Sequence, residues 1–265
     1  MPQLVEIVNP KGPVAELRLN RPAKKNAVTL ELLEELVAAC AALAAAPGLR
    51  AVILAGTGGD FSAGMDTSVL MSFAGDIEGI KAEMLDPPDG IANRFQAPTK
   101  ALADLPVPVI AAIDGVCFGA GIQLALAADF RIASPGAKLS IMEAKWGLIP
   151  DMGISLSLPK LLPADRAKAL IMTARVLSGE EALTEGLITR VADNPHAAAM
   201  AFAEDLAARS PDAIRAAKTL VDRLWSDTPV GGLRLEAELQ AALMGAPNQV
   251  ETVMAQMQGR KPDYR

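Results

Sequence analysis

The residues best suited to chemistry lie between Gly115 and Asp151. This stretch opens with three glycines, continues into an apolar segment of helical character, and ends in two carboxylates, Glu143 and Asp151. A glycine-rich turn that leads into a helix leaves backbone N–H groups without intrahelical partners, and such groups can stabilise a developing negative charge. Carboxylates can take and return protons. The stretch has the outline of an active site.

A second glycine-rich loop, Gly56 to Asp66, follows an apolar run of the buried-strand type. It is not a dinucleotide fingerprint, because Phe61 stands where the last glycine is needed. The two glycine-rich turns end near Met65 and Ala120, and their two backbone N–H groups together would form an oxyanion hole. Small residues in the turns let a ligand approach the main chain, namely Gly64, Gly119 and Gly121. The alternative is that these glycines serve only tight packing.

Histidine and cysteine chemistry is not expected. The one histidine, His196, follows Asn194 and Pro195 and is predicted to be a solvated loop residue. Ser-His-Asp catalysis and a histidine-rich metal site are therefore disfavoured, and we expect no bound metal. The two cysteines, Cys40 and Cys117, show neither a disulfide framework nor zinc-ligand spacing, which fits a reducing cytosol.

The charge balance excludes several classes of partner. The chain has 25 basic and 31 acidic residues and a net charge of −6, without a polybasic run, so nucleic acid is not expected to bind. The most apolar window, residues 107–129, contains Asp114 and Gln123 and is too polar for a membrane span. The N-terminal sequence has no signal or transit pattern, and a cytoplasmic location is expected.

Strand and helix patterns alternate over the first 194 residues. A hairpin is predicted from Leu4–Val8 and Val14–Leu19. Thr29 is a plausible N-cap for the helix that ends before Pro47, and Ser178 with Glu181 forms a capping-box pattern. Residues 67–95 are predicted to be irregular, as a loop or mobile lid. Four further strands are predicted at Val107–Ile113, Phe130–Ala133, Leu139–Met142 and Ile188–Val191. This alternation indicates an α/β fold.

The last part of the chain has only helical patterns. Helices are predicted at Ala197–Ser210, Pro211–Trp225, Gly232–Met244 and Asn248–Gln258. We therefore divide the chain into a core, residues 1–194, that holds the site, and a helical C-terminal region, residues 195–265. The apolar spacing in these helices indicates that they pack on the core or on a neighbouring subunit.

Four motifs, in this order and spacing, resemble the crotonase (enoyl-CoA hydratase/isomerase) superfamily over essentially the whole chain. They are Leu19–Pro22 with Asn26 and Ala27, Phe61–Asp66, Gly115–Arg131, and Gly147–Pro150. The resemblance implies a spiral of β-β-α units followed by a helical C-terminal region. It also implies assembly into homotrimers or hexamers, and an acyl-CoA thioester as substrate, so that CoA enters as part of the substrate and no separate cofactor is needed.

The resemblance assigns roles to particular residues. It places the oxyanion-hole N–H groups at Met65 and Ala120; family members usually have glycine at the second position, but only the N–H is needed. The CoA-binding set that it implies is Lys25, Ala27, Ala63, Gly64, Asp66, Thr67 and Gly119. The alternative for Lys24 and Lys25 is that both are ordinary solvated charges.

The carboxylates bear on the reaction. Hydratases of this superfamily use two glutamates; Glu143 matches the second, and Gln123 replaces the first. An amide can orient water but cannot transfer a proton at neutral pH. Asp151, eight positions after Glu143, reproduces the spacing of the catalytic Glu and Asp in dienoyl-CoA isomerases. The alternatives are a surface or salt-bridged acid for Glu143 and an N-cap of a helix over Met152–Leu158 for Asp151.

These considerations favour an enzyme that shifts a double bond through an enolate held in the oxyanion hole. Glu143 would be the main acid/base and Asp151 the second. The nearest rival is hydration of a 2-enoyl-CoA with Glu143 and a water held by Gln123. Two further alternatives are a non-catalytic acyl-CoA-binding protein and a CoA-thioester hydrolase.

Overall fold

The computed structural model describes residues 3–73, 75–87, 90–224 and 229–264. The described residues form eight strands, β1 (Val5–Val8), β2 (Val14–Leu19), β3 (Ala51–Gly56), β4 (Val109–Ile113), β5 (Val116–Phe118), β6 (Phe130–Ala133), β7 (Lys138–Ser140) and β8 (Arg190–Val191). Six of them form one sheet in the order β1-β2-β3-β4-β6-β8, antiparallel at β1–β2 and parallel elsewhere. Strands β5 and β7 pair in parallel as a second, small sheet.

Twelve α-helices connect and cover these strands in the described part of the chain. The first six are α1 (Leu30–Ala44), α2 (Thr67–Phe73), α3 (Ile77–Leu85), α4 (Ala97–Ala103), α5 (Ala120–Leu126) and α6 (Ile154–Leu161). The others are α7 (Ala164–Thr173), α8 (Gly179–Glu185), α9 (Pro195–Ala207), α10 (Pro211–Leu224), α11 (Pro229–Leu243) and α12 (Pro247–Met257). Short 3-10 helices occupy Pro22–Lys24 and Glu143–Trp146.

The large sheet is buried on both faces, as parallel sheets usually are. One face packs against α1, α4 and α5 through fully buried side chains such as Leu17, Leu54 and Ile122. The alternate residues of the strands point to the other face of the sheet and pack there, among them Ile53 and Ile110. There they meet Ala199 and Ala203 of α9, and their small side chains let that helix lie close to the strands.

The C-terminal region is tied to the sheet by polar contacts as well. Lys218 of α10 donates to both carboxylate oxygens of Asp129 at 2.6 Å, and Lys160 of α6 pairs with Asp222 at 3.5 Å. Helix α9 itself lies directly on the large sheet. The division at residue 195 stays a prediction.

Local capping was predicted well. Thr29 caps α1 by accepting from the Leu32 N–H, and Ser178 and Glu181 form the reciprocal capping box at α8. The Leu4–Val8 and Val14–Leu19 hairpin is confirmed as β1 and β2.

Two other expectations need correction. Residues 67–95 contain α2 and α3 rather than an irregular loop, with a T-shaped contact between Phe73 and Phe95 fixing them to the core. Residues 74, 88 and 89 of this segment, and Trp225 of the predicted helix 211–225, lie outside the described residues. His196 is not in a loop, because it lies in the first turn of α9 and contacts Glu16 Oε2 at 3.0 Å.

Among the residues that the structure describes, no helix combines the length and apolar character needed to cross a membrane.

Candidate active site

Glu143 begins the 3-10 helix after β7, and its carboxylate is half enclosed. Oε1 accepts a hydrogen bond of 2.8 Å from Gln123 Nε2. Oε2 is buried and has no hydrogen-bond partner among the described residues. Burial raises the pKa of the Glu143 carboxyl, and the charge of Asp151 adds to the increase, although the bond from Gln123 opposes it. A carboxyl of this kind suits proton transfer.

Gln123 lies on α5 and is almost completely buried, with 2% of its surface exposed. Its Oε1 accepts from the Met152 backbone N–H at 2.8 Å while its Nε2 donates to Glu143. Met152 is held in turn by Thr99, whose hydroxyl donates to the Met152 carbonyl at 2.6 Å. The amide therefore joins α5, the 3-10 helix and the loop before α6.

Asp151 lies at the exposed edge of this group. Helix α6 begins at Ile154 with Gly153 as its N-cap, and no side chain caps it. The alternative in which Asp151 caps a helix over Met152–Leu158 is therefore wrong, because Gly153 occupies the cap in the left-handed conformation and the helix begins later than expected. Burial by neighbouring atoms raises the pKa of the Asp151 carboxyl. The negative charge of Asp151 also raises the pKa of the Glu143 carboxyl, as expected for two acids at one site.

The two glycine-rich turns meet near Glu143. A Cβ added at Gly64 would lie 2.8 Å from the Phe118 carbonyl oxygen and 3.7 Å from the Ala120 backbone nitrogen. A Cβ added at Gly119 would lie 3.5 Å from Glu143 Oε1. Gly119 has φ 51° and ψ −116°, a conformation open in practice only to glycine. These contacts place both turns and the carboxylate at one point of the fold.

Backbone pairing fixes the two turns against each other. Ser62 N–H donates to the Val116 carbonyl at 2.9 Å, and Phe118 N–H donates to the Ser62 carbonyl at 3.0 Å. On either side of Met65, the Val28 N–H donates to Gly64 and the Asp66 N–H to Val28, both at 2.8 Å. The N–H groups of Met65 and Ala120 themselves have no acceptor among the described residues. Both are thus left available for a ligand oxygen.

The residues predicted to contact CoA lie along the same loop, with different degrees of exposure. Ala27 and Ala63 are half-buried, Thr67 is exposed at the start of α2, and Gly64 is buried. The exposed Lys25 ammonium lies 3.5 Å from Asp60, so its charge is partly compensated. Asp66 is engaged by the protein itself, because Arg21 and Ser68 donate hydrogen bonds to its carboxylate. The assignment of this set to CoA stays a prediction.

Met152 and Thr99 are the site residues that sequence reasoning missed. Met152 acts through its backbone N–H, which any residue except proline would supply, and Thr99 contacts it from 53 positions away in the chain. No sequence signal for either contact was available. Cys117, by contrast, is fully buried and the burial raises the pKa of its thiol well above the usual range, in keeping with a packing role.

An apolar cavity of about 410 Å³ borders this site at Thr99 and Gly153. It opens between the C-terminal end of α5, α6 and α10, with Leu126, Leu156 and Val221 in its walls. Neither Glu143 nor the two glycine-rich turns line it, so the cavity does not reach the Glu143 carboxylate.

Comparison with known proteins agrees with this geometry. The family model described as "Enoyl-CoA hydratase/isomerase" matches residues 9–265. Mitochondrial methylglutaconyl-CoA hydratase of Mus musculus is 32% identical over 260 residues, which cover 95% of this chain and 79% of the relative. Carnitinyl-CoA dehydratase of Salmonella paratyphi A is 37% identical over 222 residues, or 83% and 80% of the two chains.

A solved structure extends the likeness to three dimensions. The crystal structure of an enoyl-CoA hydratase from Bacillus anthracis superposes with a TM-score of 0.89 at 31% identity, and the match covers 99% of both chains. The predicted α/β class with a crotonase-like core is thereby confirmed. The chain belongs to the enoyl-CoA hydratase/isomerase family of the crotonase superfamily and is an enzyme that acts on CoA thioesters.

Proposed function

We propose that this enzyme shifts the double bond of an enoyl-CoA by moving a proton between two carbons of the acyl chain. The proposal rests on which acidic and amide side chains the site contains. The Glu143 carboxylate has a buried oxygen that meets no hydrogen-bond partner in the described part of the chain. A second carboxylate, Asp151, lies at the rim, and Gln123 stands in place of the first hydratase glutamate. Two acids next to one acyl chain suit removal and return of a proton at different carbons.

In the proposed reaction the thioester oxygen binds between the N–H groups of Met65 and Ala120. Glu143 takes a proton from C2 of a 3-enoyl-CoA, the electron pair moves onto the thioester oxygen, and a dienolate forms. Return of a proton to C4 from Asp151 gives the 2-enoyl-CoA. Each oxyanion donor of this type is worth about 2.7–4 kcal/mol of barrier. CoA is part of the substrate, and we propose no separate cofactor.

Hydration of a 2-enoyl-CoA is the second candidate, favoured by the names of the relatives. Methylglutaconyl-CoA hydratase and carnitinyl-CoA dehydratase both carry out water addition or its reverse, according to their names. In this chain Glu143 would be the acid/base for the water. Gln123 is poorly placed to hold that water, because its carbonyl faces the Met152 N–H and its amide nitrogen faces Glu143. This is why isomerisation is preferred.

Assembly and location are part of the proposal. Apolar side chains close to the site are exposed in the single chain, among them Trp146, Leu148 and Ile149. Such exposure supports burial of this surface in a homotrimer or a hexamer. The two free, buried cysteines support a reducing compartment such as the cytosol.

The experiment that tests the function is a direct assay of the purified enzyme on crotonyl-CoA, a 3-enoyl-CoA and a dienoyl-CoA. Isomerisation that falls by about 10²-fold or more in both Glu143→Gln and Asp151→Asn supports the proposal. Rapid hydration of crotonyl-CoA that survives Asp151→Asn and is lost in Glu143→Gln establishes hydration in its place. Binding of the thioesters without turnover, or release of free CoA, would contradict both reactions and would indicate a binding protein or a thioester hydrolase.

A further inference from the structure

Hydrogen bonds among four residues form a relay that ends on the Glu143 carboxylate, with the Thr99 hydroxyl at its far end also 2.8 Å from the Gln96 carbonyl. The Thr99 hydroxyl donates to the Met152 carbonyl at 2.6 Å, and the N–H of the same Met152 donates to Gln123 Oε1 at 2.8 Å. Gln123 Nε2 then donates to Glu143 Oε1 at 2.8 Å. Thr99, Gln123 and Met152 are each 2% exposed, so water does not compete for these bonds.

The chemistry of the donors fixes the direction of the relay. A backbone N–H can only donate, so the Gln123 atom that faces Met152 must be the carbonyl oxygen. The atom that faces Glu143 is then the NH₂ group, which also can only donate. Glu143 Oε1 must consequently accept in both ionisation states of the carboxyl. When Glu143 carries a proton, that proton is favoured on Oε2, because a carboxylic hydroxyl oxygen at Oε1 would be a weaker acceptor for the Gln123 N–H than a carbonyl oxygen.

We infer that Gln123 is a positioning residue that directs the transferable proton of Glu143 to Oε2, the buried oxygen with no partner among the described residues. The inference rests on the proposed role of Glu143 as the acid/base. A glutamate at position 123 could not do the same, because its second oxygen would be an acceptor or would share a proton with Glu143. The replacement of the first hydratase glutamate thereby gives Glu143 a single oxygen for proton transfer.

Several elements bring charged residues to the neighbourhood of Glu143. Its own 3-10 helix also carries Lys145, and α7, which packs against that helix, carries Asp165, Arg166 and Lys168. Helix α5 presents the neutral Gln123, and the loop before α6 presents Asp151. Asp151 is the charged group coupled to Glu143 within the described part of the chain. A change at position 123, whose side chain bonds Glu143 directly, should therefore show in the titration of Glu143.

The test compares three variants, read out by titration and by kinetics. The protein is labelled with ¹³C at the glutamate carboxyl carbons, and the Glu143 signal is assigned by its loss in Glu143→Gln. In Gln123→Glu, which keeps an acceptor for the Met152 N–H, the Glu143 titration should move to higher pH by about one unit or more. The acidic limb of the pH profile of kcat/KM should move to higher pH together with the Glu143 titration. In Gln123→Leu, kcat should fall about 10- to 100-fold with little change in KM.

Thr99→Val is the matched control. It removes a buried donor from the far end of the relay but leaves the contact between Gln123 and Glu143 intact. The Glu143 titration in this variant should stay at its wild-type position. An equal displacement in Thr99→Val and Gln123→Glu would overturn the inference, since the effect would then reflect general loosening of the site.

Because the NMR titration needs no substrate, the inference and the proposed function can fail separately. An unchanged Glu143 titration in a folded Gln123→Glu variant overturns the positioning role, whatever the enzyme turns over. A displaced titration in a protein that turns over no enoyl-CoA sustains the positioning role and refutes the function. If Gln123→Leu does not fold, Gln123→Glu alone decides the question.

Discussion

Asp66 Oδ2 accepts hydrogen bonds from both terminal guanidinium nitrogens of Arg21, each at 3.0 Å. The other carboxylate oxygen accepts from the Ser68 N–H at 3.0 Å and from its hydroxyl at 2.7 Å. One side chain thereby ties the Met65 loop to the loop of Arg21 and to the start of α2. Arg21 and Asp66 belong to two of the four family motifs, and together they hold the glycine-rich turn at Met65 in place.

Asp66→Asn should lower the stability of the fold by about 1.5–3 kcal/mol at neutral pH, because it weakens charged hydrogen bonds. The bonds from Ser68, followed by those from Arg21, lower the pKa of Asp66 to about 2. The stabilisation is thus present above the ordinary pKa of the carboxyl, near 4, and is lost as the pH falls towards 2. Urea unfolding at pH 7 and pH 3 measures this, with Glu34→Gln, at an exposed site on α1, as control. A stability difference that does not shrink at pH 3 would contradict the account.

Gly64→Ala should reduce kcat by about 10²- to 10³-fold, the typical cost of one displaced oxyanion donor. Gly64 has φ 93°, and a Cβ there would lie 2.8 Å from the Phe118 carbonyl oxygen, so the loop or the strand must move. Gly59→Ala is the matched control. Its φ of 88° imposes similar backbone strain, but a Cβ would meet nothing within 4 Å. Equal losses of kcat in both variants would show that strain, rather than the position of the turn, is responsible.

Glu143→Gln should become more stable relative to the wild type as the pH rises. Burial raises the pKa of Glu143, so the folded wild type holds this proton more tightly than the unfolded chain. The wild type therefore loses stability as the pH rises from the ordinary glutamate pKa through the raised pKa of Glu143. The Glu143→Gln variant has no carboxyl to ionise at this position and does not suffer this loss. Thermal melts of both proteins between pH 4 and 8 provide the measurement. A gap between the melting temperatures that is constant over this range would mean that the carboxyl ionises without cost.

His196→Ala should lower stability by about 0.5–1.5 kcal/mol and leave kcat unchanged. His196 contacts Glu16 Oε2 at 3.0 Å, and Arg18 pairs with the same oxygen at 2.6 Å. Burial of Glu16 opposes its ionisation, but these two partners nevertheless lower the pKa of its carboxyl. The loss should accordingly be larger at pH 7 than below the ordinary glutamate pKa. Denaturant unfolding measures the stability, and a fall in kcat would show that α9 supports the site directly.

Local patterns predicted much of the fold. The β1–β2 hairpin, the Thr29 cap and the Ser178 capping box depend on neighbours in sequence, and each was correct. Residues 67–95 were wrongly predicted because their glycines and prolines suggested loops. Gly79, for example, lies inside α3, where the cap from Asp76 offsets its poor helix propensity.

The candidate site was also predictable in part. Glycine-rich turns and carboxylates are visible as residue types, and the structure brings Gly64, Gly119 and Glu143 together. The bonds made by Gln123 were not predictable, since one partner is a backbone N–H 29 positions away whose residue type carries no signal. The same holds for β5, three residues long, which pairs with a strand some 20 positions later and has no alternation to reveal it.

The most direct test of the central claim is hydrogen exchange at C2 of a saturated acyl-CoA in heavy water, followed by NMR or mass spectrometry. A saturated thioester can neither be hydrated nor isomerised, so exchange reports only the enolate and the base that forms it. The account predicts enzyme-catalysed incorporation of deuterium that falls by about 10²-fold or more in Glu143→Gln. Absence of exchange in a wild-type enzyme that demonstrably binds the thioester, or exchange that is unaffected by Glu143→Gln, would contradict it.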